Sequence, residues 1–205
     1  MADAAHATRN RLLEAARELF TTTGYHGTTT PMLASKAGVA EGTIYRHFPS
    51  KQALLNAAYQ ETQRWGAATI RDVMAGASRP ARERLRSLGR VWLETAERDP
   101  ARIRLLLLWR GQRELDDTSR AAAAEWRQAL EHLVALGKQE GSVRPGGVEL
   151  WTSVWLALAG FAAGKVADRE WPAHHGHATA TIDAAWEAIA ARGKSPQGAA
   201  SASAD

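Results

Sequence analysis

The chain has 205 residues, 45% of them hydrophobic, which suits one or two domains with a sizeable core. Its formal charge of +4 is mildly basic and compatible with a polyanionic partner. With no cysteine anywhere, disulfides, thiolate metal sites and a cysteine nucleophile are excluded.

The helical period dominates and no stretch sustains strand alternation, so the sequence predicts an all-α fold of about nine helices. A first helix is expected from Thr8 to Thr22, with Leu12, Ala16, Leu19 and Phe20 as its apolar stripe and Gly24 ending it. Thr28, Thr29 and Thr30 offer N-caps for a short helix carrying Leu33, Ala34 and Ala37, which Gly38 breaks. After the Gly38-Val39-Ala40 turn, Ile44 and Phe48 share one face of a second short helix, leaving Glu41, Thr43, Arg46 and His47 pointing elsewhere. A long helix then runs from Ser50 to about Ala75 and links the N-terminal head to the rest.

Ser78 and Pro80 open a helix with the stripe Leu85, Leu88, Trp92 and Thr95, which stops before Asp99-Pro100. A shorter helix carries Ile103, Leu106 and Leu107. Thr118 is the expected cap of a longer one bearing Ala122, Trp126, Leu130 and Leu133, which ends in the loop from Gly141 to Gly147. Residues 148–166 are apolar around most of the circumference, with a large ridge of Trp151, Val154, Trp155, Leu158 and Phe161. Ala157, Gly160 and Gly164 form a small-residue face there. Residues 178–192 add Ile182, Trp186 and Ile189, and the small polar segment from Gly193 onward is expected to be disordered. The longest strongly apolar run, Val154 to Gly164, is too short to span a bilayer, and the N-terminus lacks the apolar core of a signal peptide. A cytoplasmic protein with no membrane partner is therefore expected.

Two short helices joined by a tight glycine turn are the arrangement in which the second enters a DNA major groove while the first braces it. Residues 28–51 carry Lys36, Arg46 and Lys51 against the single anion Glu41. Gly42 lets the start of the second helix come close to a phosphate, Tyr45 and His47 can donate to phosphate oxygens, and Lys51 is placed to contact the backbone. Arg46 suits a two-pronged contact with guanine, Glu41 an acceptor role toward cytosine, and Thr43 a thymine or polar edge. With Thr30 and Ala40 at the helix starts, these residues make up the candidate DNA-binding set.

The stretch GYHGTTTPMLASKAGVAEGTIYRHFPSK, residues 24–51, resembles the DNA-binding signature of the tetracycline-repressor (TetR) family of bacterial transcription regulators. Gly24-Tyr25, Thr28-Thr29, Ala37-Gly38-Val39, Gly42-Thr43-Ile44-Tyr45, His47-Phe48 and Ser50-Lys51 carry the resemblance, which is strong over residues 8–55 and loose beyond. Two positions depart from the pattern: Ala40 stands where a capping serine is common, and Glu41 where a basic or neutral polar residue is frequent.

The resemblance implies a three-helix helix-turn-helix head, residues 1–52, on a larger helical regulatory body, residues 53–192, followed by a tail, 193–205. It implies a homodimer, and Trp151, Leu158, Phe161, Ile182, Trp186 and Ile189 on the last two helices are the candidate interface. A double-stranded pseudo-palindromic operator is the implied partner, and an apolar or aromatic small molecule the implied releasing ligand. Eight tryptophans are many for this length, and Trp92, Trp109, Trp126 and Trp155 are the candidates to line its pocket. An activator or ligand-independent regulator of the same fold, or a helical small-molecule binder with a vestigial head, remain alternatives. No hydrolase, nucleotide or zinc motif occurs, so neither an enzyme nor a cofactor is expected. The cluster His174-His175-Gly176-His177 lies in a loop and is not expected to hold a metal.

Overall fold

The computed structural model of the chain describes residues 2–75, 79–108 and 113–191. Ser78, Trp109 and the expected tail lie outside the described residues. Helix α1, Ala2–Thr22, begins well before the predicted Thr8, because the alanine-rich start has high intrinsic helix propensity. Helix α2, Thr30–Ala37, is capped by the Thr29 side chain, which accepts from the Met32 amide, and ends at Gly38 with φ of 63°. Only glycine adopts that left-handed geometry without strain. Helix α3, Glu41–His47, starts at Ala40 without any side-chain cap. Helix α4, Lys51–Met74, is capped by Ser50, whose hydroxyl accepts from the Ala53 amide at 3.0 Å.

Helix α5, Ala81–Arg98, places Leu85, Leu88 and Trp92 fully inside, with Thr95 half-buried. Helix α6, Pro100–Ile103, is capped by Asp99 and continues into a π-helical turn, Arg104–Leu108. Helix α7, Asp117–Gln139, is capped by Asp116, not Thr118: the Asp116 carboxylate accepts from the Ser119 amide at 2.7 Å, which leaves Thr118 exposed inside the first turn. Helices α8, Val148–Ala167, and α9, Gly176–Ile189, complete an all-α fold among the described residues. Their expected bounds shift by a few residues, as His175 caps α9 by accepting from the His177 amide at 3.1 Å.

Two hydrophobic cores form. The head core gathers Leu12, Leu13, Ala16 and Phe20 of α1, Leu33 of α2, Ile44 and Phe48, and Leu54, Leu55 and Ala58 of α4. The body core takes over at Ala67 and Ile70 of the same helix and adds α5, α7, α8 and α9. Helix α4 is thus a rigid rod shared by both. The π-helical turn is shared too, since Leu105 is buried in the head core and Leu106 in the body core.

Two helical glycines set the close packing of the body. A Cβ on Gly66 would lie 2.7 Å from Trp126 Cδ1 and 2.8 Å from Leu106 Cδ1, and one on Gly89 would lie 2.7 Å from Ile182 Cγ2. Helix α8 extends the apolar run beyond its predicted limits to 20 residues, which by length and composition is enough to cross a bilayer. Half of its apolar window is buried against neighbouring helices, the position of a core helix.

Candidate nucleic-acid interface

Helix α3 is held by two anchors. Ile44 is fully buried and Phe48 nearly so, and the Phe48 amide donates to the Ile44 carbonyl at 2.8 Å to close the last turn. Because these two share one face, the opposite face is left to solvent: Glu41, Gly42, Tyr45 and Arg46 are exposed, and Thr43 and His47 half-buried. Tyr45 is 52% exposed, and its hydroxyl lies 3.4 Å from the Thr30 hydroxyl of α2. Nothing lies within 4 Å of a Cβ built on Gly42, so the fold itself leaves that approach open. The structure therefore brings Thr30, Ala40, Glu41, Gly42, Thr43, Tyr45, Arg46 and His47 onto one side of the head.

Lys51 is placed differently from the sequence expectation. Its Nζ donates to the Tyr25 carbonyl at 2.9 Å and the Thr28 carbonyl at 2.8 Å, and sits 4.3 Å from the Tyr25 ring centroid. Two of its three donors are thus engaged inside the head, where they tie the start of α4 to the loop between α1 and α2. Lys36 is also committed, with its Nζ 2.5 Å from Glu18 Oε1, so of the three predicted cations Arg46 alone has no ion pair or hydrogen bond among the described residues. Sequence reasoning missed Arg9, whose guanidinium lies over the Phe48 ring at 5.3 Å and sets an exposed cation beside the end of α3. Its only sequence signal is a polar position one turn before the apolar stripe of α1.

The head is latched to the body by polar groups, of which Arg17, Asn56 and Ser119 are buried. Arg17 of α1, only 4% exposed, reaches Glu61 of α4 at 3.2 Å and Asp99 at 3.7 Å, and Arg102 of α6 closes on Asp99 at 3.1 Å. A second latch centres on Asn56, whose Oδ1 accepts from the Asp116 amide at 2.9 Å and the Ser119 hydroxyl at 2.6 Å. Ser119 hydroxyl and backbone contacts hold the Asp116 carboxyl below its ordinary range.

In the body, Trp92, Trp126 and Trp155 do converge. Trp92 has its ring centroid 6.4 Å from that of Trp126 and 5.3 Å from that of Trp155. All three indole N–H groups are buried with no hydrogen-bond partner among the described residues, as are Thr152 Oγ1 and Gln63 Oε1. A buried donor or acceptor left unpaired costs about 1–3 kcal/mol, so a core otherwise built of apolar side chains carries these groups at a penalty. An open groove of the body lies elsewhere, about 360 Å³ between α5 and α9, with Arg86, Arg90, Leu93, Glu97, His174 and Ile182 in its lining. In it Arg86 pairs with Asp183 and the Glu97 carboxylate accepts from the Ala173 amide, while Arg90 has no ion pair among the described residues. Of the histidine cluster, His175 stacks on Trp171 and caps α9.

The expected dimer residues divide. Ile182, Trp186 and Ile189 are 3%, 6% and 0% exposed and belong to the body core, because α9 turns its apolar stripe onto α5 and α8. Trp151 and Leu158 are half-buried, and the Trp151 indole donates to the Pro145 carbonyl at 3.1 Å. Phe161 is 51% exposed, and Leu150, which sequence reasoning passed over, is 54% exposed. With Val154 and Ala157, half-buried and exposed, these form an outward apolar stripe along α8 at helical spacing.

Comparison with known proteins agrees with this geometry. A model of the family described as "Bacterial regulatory proteins, tetR family" matches residues 12–58, the span of the head core. Among curated proteins, the HTH-type transcriptional regulator UidR of Escherichia coli K12 is 36% identical over 72 residues, 35% of this chain and 37% of that protein. The HTH-type transcriptional repressor KstR2 of Mycobacterium tuberculosis is 32% identical over 95 residues, 46% of this chain and 47% of that protein. The chain thus spans less than half the length of these relatives. Among solved structures, a TetR family transcription regulator from Marinobacter aquaeolei VT8 superposes with a TM-score of 0.78 at 20% identity, covering 94% of this chain and all of the other. The match to the tetR family is thus confined to the head, residues 12–58, and the rest of the chain shares the fold of the Marinobacter regulator.

Proposed function

We propose that the protein is a DNA-binding transcriptional regulator, acting as a homodimeric repressor that is released from a pseudo-palindromic operator by a small molecule. The observation that carries the DNA-binding reading is α3 itself, anchored by Ile44 and Phe48 while Gly42, Tyr45 and Arg46 stand clear of the protein. Tyr45, His47 and the free donor of Lys51 hold the phosphate backbone, and Arg46, Glu41 and Thr43 meet base edges. The repressor role is supported by the likeness to KstR2.

Dimerisation is supported by the apolar stripe Leu150, Val154, Ala157 and Phe161, which a second copy would cover through a symmetric interface. Two heads on one dimer would then sit about 34–36 Å apart, one helical turn of DNA. Phe161→Asp should lower the dimer fraction in ultracentrifugation, and an unchanged sedimentation coefficient would move the interface elsewhere.

Release follows from how the two cores are joined. A ligand among Trp92, Trp126 and Trp155 displaces Leu106 beside Trp126, and the π-helical turn passes that movement to Leu105 in the head and to Arg102 and Asp99 in the Arg17 latch. Because the two sites are coupled, ligand must weaken operator binding by the same factor that operator weakens ligand binding.

The test is selection of bound fragments from genomic and random DNA by the purified protein at near-physiological salt. An enriched inverted repeat supports the regulator, whereas bulk, salt-sensitive binding with no enriched sequence would refute it.

A further inference from the structure

The unpaired groups of the body trace a path across it. Gln63 lies three residues before Gly66 on α4, and a Cβ on Gly66 would be 2.8 Å from Trp126 Nε1. Trp126 of α7 packs near Trp92 of α5, which packs on Trp155 of α8, and Thr152 precedes Trp155 by three residues on the same helix face. Four helices therefore each place at least one unpartnered polar atom along this line. The chemistry of the groups is one-sided. An indole offers only a donor, so Trp92, Trp126 and Trp155 present three N–H groups, Thr152 a hydroxyl, and Gln63 Oε1 the one dedicated acceptor. Phenylalanine would fill most of the same space without a donor, so packing alone does not explain three indoles. None of the five groups carries a charge that would neutralise a buried anion or cation.

We propose that the interior of the helical body binds an uncharged, flat molecule rich in carbonyl or ether acceptors, held by the indole N–H groups of Trp92, Trp126 and Trp155. Gln63 Oε1 receives a donor from the same molecule where it has one. This rests on reading the body as the ligand-binding part, and adds the chemistry of the ligand. The Trp92 ring packs against both of the others in this structure, so the molecule enters by parting them. Leu106 of the π-helical turn, which meets Gly66 beside Trp126, is the neighbour that yields.

The test uses the full chain labelled with ¹⁵N-tryptophan, with the indole N–H signals assigned through single Trp→Phe variants. Two matched pairs serve as probes, coumarin against naphthalene and 9-fluorenone against fluorene, with 2-naphthoate as the anionic control. The carbonyl member of each pair should bind about tenfold tighter than its hydrocarbon and move the Trp92, Trp126 and Trp155 signals, while those of Trp65 and Trp171 stay in place. The naphthoate should leave all of them unmoved. Trp126→Phe and Trp155→Phe, tested separately in case one does not fold, should each weaken 9-fluorenone about fivefold and leave fluorene unchanged. Equal affinity within each pair, or failure of both carbonyl probes to move the three signals, overturns the proposal. So does strong cross-relaxation between these N–H groups and water that no probe displaces, because internal water would then satisfy them. Operator binding is measured in parallel. Probe binding at these indoles without loss of operator affinity leaves the ligand chemistry standing and removes the release mechanism. Release by a compound that leaves the indoles unmoved does the reverse.

Discussion

Lys51→Met isolates the contribution of one ammonium, because methionine keeps most of the aliphatic stem against the Tyr25 ring and removes only the charged donor. In the structure that donor makes two hydrogen bonds, to the Tyr25 and Thr28 carbonyls at 2.9 and 2.8 Å, and a contact 4.3 Å from the Tyr25 centroid. Hydrogen bonds to a charged group contribute about 1.5–3 kcal/mol when well buried, and Lys51 is half-buried, so about 1 kcal/mol each is the fair scale. A half-exposed cation–π contact adds about 0.5 kcal/mol, for a total of about 2.5 kcal/mol. For a chain of this size that corresponds to a fall of roughly 5–10 °C in Tm. Differential scanning calorimetry reads the fall, and DNA titrations over a range of salt read the second role. Loss of the remaining phosphate contact should also flatten the salt slope by about one ion, whereas Lys51→Arg should keep the slope while losing part of the stability. A Tm unchanged to within about 1 °C in Lys51→Met would refute the internal clamp, because a lysine without such contacts is replaced at a cost of only about 0.5 kcal/mol or less.

Other outcomes follow from single features of the fold. Gly66→Ala should destabilise by about 1–3 kcal/mol despite the helix propensity of alanine, because its Cβ would lie 2.7 Å from Trp126, while Gly160→Ala, with nothing within 4 Å, should be neutral or stabilising; urea midpoints decide both. Ala40→Ser should stabilise α3 by about 1 kcal/mol by supplying the missing cap, seen as a higher melting temperature of the head, and no gain would mean the cap geometry is unsuited. The folded-state pKa of Asp116 lies below its ordinary value of 3.8, so the contribution of its carboxylate is full above that value and lost as pH falls through the folded pKa. Asp116→Asn keeps a cap without titrating, so the stability gap between wild type and variant should close on acidification below about pH 4; a gap constant with pH contradicts the assignment.

The sequence by itself determined the helical elements and the head motif, because caps and periodicity are local. Thr29, Gly38 and Ser50 mark helix ends through hydrogen bonds and dihedrals that span only a few residues, and Ile44 and Phe48 declare the buried face of α3 by spacing alone. Local signals failed where two groups competed for one role: Asp116 outcompeted Thr118 as a cap because the Asn56 latch also holds the Asp116 amide. What only the tertiary structure decided is orientation between distant segments. An apolar stripe says that a helix face is buried, not what buries it, so Ile182, Trp186 and Ile189 read equally well as interface or core until α9 was seen to pack on α5 and α8. Periodicity likewise could not show that Lys51 turns inward to two carbonyls, that Leu105 and Leu106 enter different cores, or that three tryptophans from three helices meet with their N–H groups unpaired. Those facts depend on chain segments tens of residues apart, whose contacts are settled by packing and polar satisfaction of the whole molecule.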